Sequence, residues 1–304
     1  MKLKVIIPVI LVIFCICLST IFVFFHGSPR IPKAIIVDNL HLDELSPSNE
    51  TIPFVQETRK LLERVGVKVV DYVGVNDVTL EVYRNLAKYN LVILRVHSGL
   101  LIGEEEKEEV VCFFTSESLR ENLGKYSEWF SKGYLANATL RLCDDGTQKH
   151  FIGVKPDFIS NCLNGEFQNS IIIAMGCNSS INDSMAKAFI DKKARVYIGW
   201  TRDVTADYTD NATLELLRRF FQKNQTVKEA IEIKRLMDPK TGAVLKYYPA
   251  SAANLRPKEI IEQLLEKKSS FISDLIDSFS WVLLITLSAS NWFDSCYRRL
   301  FRKF

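Results

Sequence analysis

Two side chains in the 304-residue chain have the types and the setting for nucleophilic catalysis, Cys177 and His97. A cysteine thiol becomes a good nucleophile when a neighbouring imidazole takes its proton, and the imidazolium so formed can hand that proton to a leaving amine. His97 follows the apolar run Leu91–Val96 (LVILRV), and Cys177 follows Ser170–Met175 (SIIIAM) and Gly176. Each run has the length and apolar content of a buried strand. In open α/β sheets the reactive groups gather in loops at the carboxyl ends of the strands. If these two strands are neighbours, one sheet edge presents both halves of a thiol–imidazole pair. A lone cysteine or a lone histidine at a strand end reads as packing; the joint placement, with Gly99 and Gly176 alongside, points to chemistry.

The elements that must position this pair alternate along the chain. Lys33–Asn39 (KAIIVDN) reads as a buried parallel strand, and Phe54, Val55, Thr58, Leu61, Leu62 and Val65 recur at helical steps before Gly66 closes the turn. Val67–Val73 is a second strand, Leu80–Tyr89 a second helix and Leu91–Val96 a third strand. Beyond Ser170–Met175, the pattern predicts a helix over Ser184–Lys192, a strand over Ala194–Gly199 and a helix over Ala212–Phe221. Alternating strands and helices imply an α/β fold, a mostly parallel sheet with helices on both faces. Between the halves, residues 100–169 are too long for a simple crossover. They read as an insertion with at least two strands, including a hairpin from Ala138–Leu142 to His150–Val154 across Asp144-Asp145-Gly146, followed by a turn and helix over Lys155–Leu163.

Three strand ends, His97-Ser98-Gly99, Gly176-Cys177-Asn178-Ser179 and Ile198-Gly199-Trp200, together resemble the caspase-like cysteine peptidases of clan CD, nearest in pattern to separase, gingipain and CHAT-type members. The resemblance runs from about Lys33 to Ile231. It implies that Cys177 is the nucleophile and His97 the base, and that the backbone N–H groups of Cys177 and of Ser98 or Gly99 form the oxyanion hole. It implies no metal and no cofactor, and a peptide or protein substrate cut after one chosen side chain. By position in the fold it places Trp200, Asp203, Asp207 and Asp210 at the substrate pocket, whose acidity would favour Arg or Lys before the cut. Two features depart from the pattern. Ser98 intervenes between His97 and Gly99, which leaves open the identity of the second oxyanion donor, and Asn178 begins an N-x-S sequon whose glycan would cover the nucleophile.

The remaining features bound the function. The formal net charge of +3 arises in the tails and leaves a neutral body, which argues against nucleic acid as a partner. No G-x-G-x-x-G follows the first strand, so a nucleotide-type small-molecule site is disfavoured. Cys112, Cys143 and Cys162 lack metal-ligand spacing, although one pair among them could bridge in an oxidising compartment. Glu104–Glu109 reads as a solvated helix start, His41 and His150 as surface or loop residues, and His26 as a membrane-edge residue. Val5–Phe25 holds no charge over 21 residues, enough at about 1.5 Å per residue to cross a bilayer core of about 30 Å. It reads as an uncleaved transmembrane helix in an anchor of residues 1–28, with membrane lipid as a partner. Lys2 and Lys4 at its front tilt the body to the extracytoplasmic side of a cell membrane. Six sequons, at Asn49, Asn137, Asn178, Asn182, Asn211 and Asn224, suit such a glycoprotein. Residues 29–268 form the α/β domain. Residues 269–304 are a hydrophobic or amphipathic C-terminal helix, either a second span or an interfacial helix ending in Arg298, Arg299, Arg302 and Lys303. Two functions therefore compete: a membrane-anchored cysteine endopeptidase, and a catalytically inactive peptidase-like module that binds or senses at the membrane surface.

Overall fold

The computed structural model describes residues 32–43, 53–101, 109–141, 146–232 and 236–266, together with Ile276 and Ser280. The chain divides into two units, Pro32–Glu262 and one made of Met1–Ile31 with Gln263–Phe304. The apolar run Val5–Phe25, residues 269–304 apart from Ile276 and Ser280, and residues 104–108 of the acidic run lie outside the described residues. Among those that are described, no helix is long and apolar enough to cross a membrane.

The unit Pro32–Glu262 is α/β. Its strands are β1 (Lys33–Asp38), β2 (Val69–Val73), β3 (Leu91–Arg95), β4 (Ser98–Leu101), β5 (Val110–Ser118), β6 (Leu135–Arg141), β7 (Gln148–Val154), β8 (Ile171–Ala174), β9 (Val196–Trp200) and β10 (Leu245–Tyr248). Its helices are α1 (Pro53–Arg64), α2 (Leu80–Arg84), α3 (Leu119–Asn122), α4 (Ser127–Ser131), α5 (Pro156–Cys162), α6 (Ser184–Asp191), α7 (Ala206–Phe221) and α8 (Val227–Ile231). The main sheet is six-stranded in the order β10-β9-β8-β3-β1-β2. All of its pairings are parallel except β10 on β9. β3 and β8 are direct neighbours, with Leu94 opposite Ala174.

Alternation along these strands fixes the two faces. Val92, Leu94 and Val96 pack with Leu80 and Tyr83 of α2, Phe158 and Ile159 of α5, and Met185 and Phe189 of α6. Arg95, of the opposite parity, meets Asp210 of α7 and lies 5.9 Å from the Phe54 ring of α1. Helices therefore cover both faces, and this explains why β3 is buried at every position. A strand buried on both sides needs an apolar residue at each step, so its run shows no polar alternation.

The insertion is a second sheet, antiparallel, in the order β4-β5-β7-β6. The hairpin expected from the sequence is β6 on β7, with Ala138 opposite Phe151. β4, which the pattern did not announce, begins one residue after His97 and pairs Ser98 with Phe113. Val111 and Phe113 of β5 and Ile152 and Val154 of β7 join the core under α2, α5 and α6, so the two sheets share one apolar interior.

Local boundaries have local causes. Pro53 opens α1, where its missing N–H costs nothing, and Gly66 at φ 88° closes it, with the Val67 N–H returning to the Leu62 carbonyl at 3.1 Å. The second helix is shorter than the expected Leu80–Tyr89. At Asn85 the side-chain amide turns back to the Glu81 carbonyl at 2.8 Å, and the chain continues as a 3-10 turn over Leu86–Lys88. α7 starts at Ala206, ahead of the expected Ala212, because Thr205 in an extended conformation precedes a polar first turn that has no apolar signature.

Candidate active site

β3 and β8 leave the sheet side by side, which brings Val96–Ser98 against Gly176–Cys177. A Cβ at Gly176 would overlap the Val96 carbonyl oxygen and Ser98 Oγ, so no other residue fits there without a shift. The Ser98 hydroxyl donates to the Cys177 carbonyl at 2.5 Å. The residue after the histidine is thereby tied to the backbone of the cysteine, across 79 positions of sequence.

His97 is held at three points. Its N–H donates to Asn39 Oδ1 at 2.9 Å, its carbonyl accepts from the Phe114 N–H at 3.0 Å, and its ring Nε2 lies 2.9 Å from the Leu40 carbonyl oxygen. A carbonyl oxygen can only accept, so Nε2 carries the proton in the neutral ring and Nδ1 the lone pair. That tautomer makes Nδ1 the basic nitrogen. The ring also packs at a tilt on Phe114, with centroids 6.1 Å apart.

Cys177 is half-buried, and its thiol is engaged with Val204, donating to the carbonyl at 3.5 Å and accepting from the N–H at 3.4 Å. Burial pushes the thiol pKa up and the Asp203 carboxylate adds to the rise, while the N–H groups of Val204 and of Cys177 itself pull the other way. The resting group is therefore a neutral thiol. The Cys177 N–H lies against its own sulfur, where it favours the thiolate. Asn178 sits in the left-handed region at φ 56°, where asparagine is tolerated, and its Nδ2 donates to Asp203 Oδ1 at 2.6 Å. Attachment of a glycan at that nitrogen would disturb this contact.

The expected pocket residues separate into two pairs. Asp203 and Asp207 are exposed. Trp200 is wholly buried and donates its indole N–H to Thr209 Oγ1 at 2.8 Å, which makes it part of the packing between β9 and α7. Asp210 turns inward to Arg95, at 2.8 and 3.0 Å, and burial pushes its carboxyl pKa up against the pull of that guanidinium. Ser98 and Gly99, the two alternative backbone oxyanion donors, both lie in β4, opposite Phe113 and Cys112; the Ser98 hydroxyl bonds the Cys177 carbonyl, and a Cβ at Gly99 would meet nothing within 4 Å.

Two further cysteines, Cys112 and Cys162, fall among the described residues. Cys112 is buried, free and pushed up to about 12 by burial; Cys162 is free; Cys143 lies outside the described residues. Among the described residues no group of His, Cys, Asp and Glu is placed to hold a metal ion. Sequence reasoning missed Asn39, Leu40 and Val204, because two of them act through the main chain. Asn39, a polar residue directly after an apolar strand, was the one available signal. The chain matches no known family model and no curated protein.

Proposed function

We propose that this chain is a cysteine endopeptidase of caspase-like type, anchored to a membrane by its N-terminal apolar run with the body on the extracytoplasmic side. The hydrogen bond from Ser98 Oγ to the Cys177 carbonyl carries the reading, because it fixes the histidine-bearing and cysteine-bearing strand ends against each other. The held tautomer of His97 supports it further.

The chemistry follows from the protonation states. As the Cys177 sulfur attacks the scissile carbonyl carbon, its proton passes to His97 Nδ1, so general-base assistance takes the place of a preformed thiolate. The carbonyl oxygen becomes an oxyanion facing the N–H of Cys177 and that of Ser98 or Gly99. The C–N bond then breaks, the His97 imidazolium protonates the leaving amine, and a thioester remains on Cys177. Water, deprotonated by His97, hydrolyses that thioester and restores the thiol. Asp203, exposed and bonded to Asn178 next to the nucleophile, favours a basic side chain in the substrate, and the exposed Asp207 at the start of α7 would add to that preference.

Incubation of the detergent-solubilised protein with a peptide library varied before the cut tests the reading. Cleavage after Arg or Lys, lost in Cys177→Ala and in His97→Ala, is expected; cleavage unchanged in Cys177→Ala contradicts it. A second reading has its own observation. The thiol clasped by Val204 and the sequon at Asn178 suit a catalytically inactive peptide-binding module, which would hold the same basic peptides with affinity that survives Cys177→Ala.

A further inference from the structure

Two residues before His97, Arg95 is almost fully buried, and its charge is shared between two carboxylates. Nη1 donates to Asp38 Oδ1 at 2.6 Å, while Nε and Nη2 donate to Asp210 Oδ1 and Oδ2 at 2.8 and 3.0 Å. Arg95 and Asp38 are each 2% exposed, and the Asp210 side chain is 20% exposed. Tyr72 adds a hydroxyl donated to Asp38 Oδ2 at 3.2 Å, and His41 Nε2 lies 3.5 Å from Arg95 Nη2. Burying a guanidinium and two carboxylates is costly. Similar volume filled with apolar side chains serves stability at least as well, so such a network is weak support for stability as its purpose.

Its position suggests what it does. Asp38 ends β1, and the turn that follows carries both groups that hold His97. Asp38 Oδ1 also accepts from the Leu40 N–H at 3.3 Å, and the Asn39 N–H donates to the Arg95 carbonyl at 3.0 Å. Across this turn, Asn39 Oδ1 takes the His97 backbone N–H and the Leu40 carbonyl takes the ring Nε2–H. A path therefore runs from Asp210 on α7 through Arg95 and Asp38 to the Leu40 N–H, and across that residue to the Leu40 carbonyl and the imidazole. Bidentate guanidinium contacts have a fixed fork geometry, so they set angles as well as distances.

We propose that Asp210, Arg95 and Asp38 form a positioning network that sets the tautomer and the orientation of His97 by fixing the Asp38–Leu40 turn. The proposal rests on the reading of His97 as the general base. It makes Asp210 a positioning residue that acts through Arg95, and it gives α7, whose first turn carries the exposed Asp207, a means of influencing the base.

The test uses full-length protein in detergent with 15N-labelled histidine and the isosteric variant Asp210→Asn, checked for an unchanged fold by its circular dichroism spectrum below the thermal transition. His97 resonances are assigned with His97→Gln. In the parent, His97 is expected to show the Nε2–H tautomer; in Asp210→Asn the ring is expected to move to a mixture of tautomers, and Asp210→Glu to recover most of the parent state. With a peptidyl acyloxymethyl ketone bearing Arg, the limiting rate of Cys177 alkylation is expected to fall by about ten- to a hundredfold, the scale of a misplaced catalytic group. The half-saturating concentration should stay unchanged. Tyr72→Phe removes one hydrogen bond from Asp38 without uncovering a charge, and should move the same resonances in the same direction by less. Folded variants whose His97 tautomer matches the parent overturn the proposal. Absence of alkylation at Cys177 in the parent would instead count against the peptidase reading, and the histidine spectra would still decide the network.

Discussion

Residue chemistry at this site is set by which form of each group the fold prefers. Burial and Asp203 hold the Cys177 proton on, so the thiolate fraction in the folded protein lies below that of a free cysteine at any given pH. A raised thiol pKa means that less thiolate is present at neutral pH and that the increase with pH continues past the ordinary thiol range. Alkylation of Cys177 by iodoacetamide, followed by intact mass, should thus keep rising through pH 9, whereas a plateau near pH 7 would show a preformed ion pair and contradict the general-base route. Cys112, buried and pushed up to about 12, should remain unmodified in the native protein under the same conditions. Its labelling before global unfolding would contradict the packing described for β5. Removing one charge from the buried network should be costly in a different way. Asp38→Ala leaves Arg95 short of a partner and is expected to lower stability by about 3–5 kcal/mol, measured by urea denaturation.

At the scale of elements, two parallel strand ends in close contact at Gly176 form the candidate site. Gly176→Ala drives a methyl group into Ser98 Oγ and the Val96 carbonyl, one of which is backbone and cannot rotate away. Overpacking of this kind costs about 1–3 kcal/mol. The larger effect should be on reactivity, with loss of Cys177 labelling at temperatures where circular dichroism still reports a folded protein; labelling at the parent rate would contradict the clamp. Much of this arrangement was legible in the chain. β1, β3, β8 and β9 are short apolar runs with clear ends, so the alternating pattern exposed the parallel sheet, and His97 and Cys177 were visible as polar residues just past two of those runs. What stayed hidden depends on pairing and main-chain contacts. β4 is only four residues and half-exposed, and β10 (LKYY) mixes a lysine with aromatics, so neither has a periodic signal. Trp200 and Asp210 read as pocket residues from their place in the order of elements, but Trp200 is buried against Thr209 and Asp210 faces Arg95, and a linear sequence does not reveal that direction. The Leu40 carbonyl and the Val204 clasp involve backbone atoms, for which side-chain identity carries no information.

For the molecule as a whole, the unit Pro32–Glu262 joins a doubly covered sheet to an antiparallel one through a shared interior, with the candidate site at their junction: β3 ends at Arg95, His97 follows, and β4 begins at Ser98. Stability should therefore be graded. Amides of β3 and β8, buried on both faces, should exchange only by global unfolding, while β6 at the edge of the second sheet, with exposed alternate residues, should open locally. Hydrogen exchange read by mass spectrometry checks this, and protection of Leu135–Arg141 equal to that of Leu91–Arg95 would contradict it. The proposed peptidase chemistry depends on His97 making Cys177 reactive. The direct measurement is the rate at which a peptidyl acyloxymethyl ketone bearing Arg modifies Cys177 at neutral pH, in the parent and in His97→Ala, each shown to be folded and reduced. Modification confined to Cys177 in the parent and at least about a hundredfold slower without His97, the scale of general-base assistance, is the predicted result; equal rates in the two proteins, or no modification of the parent, would contradict the account.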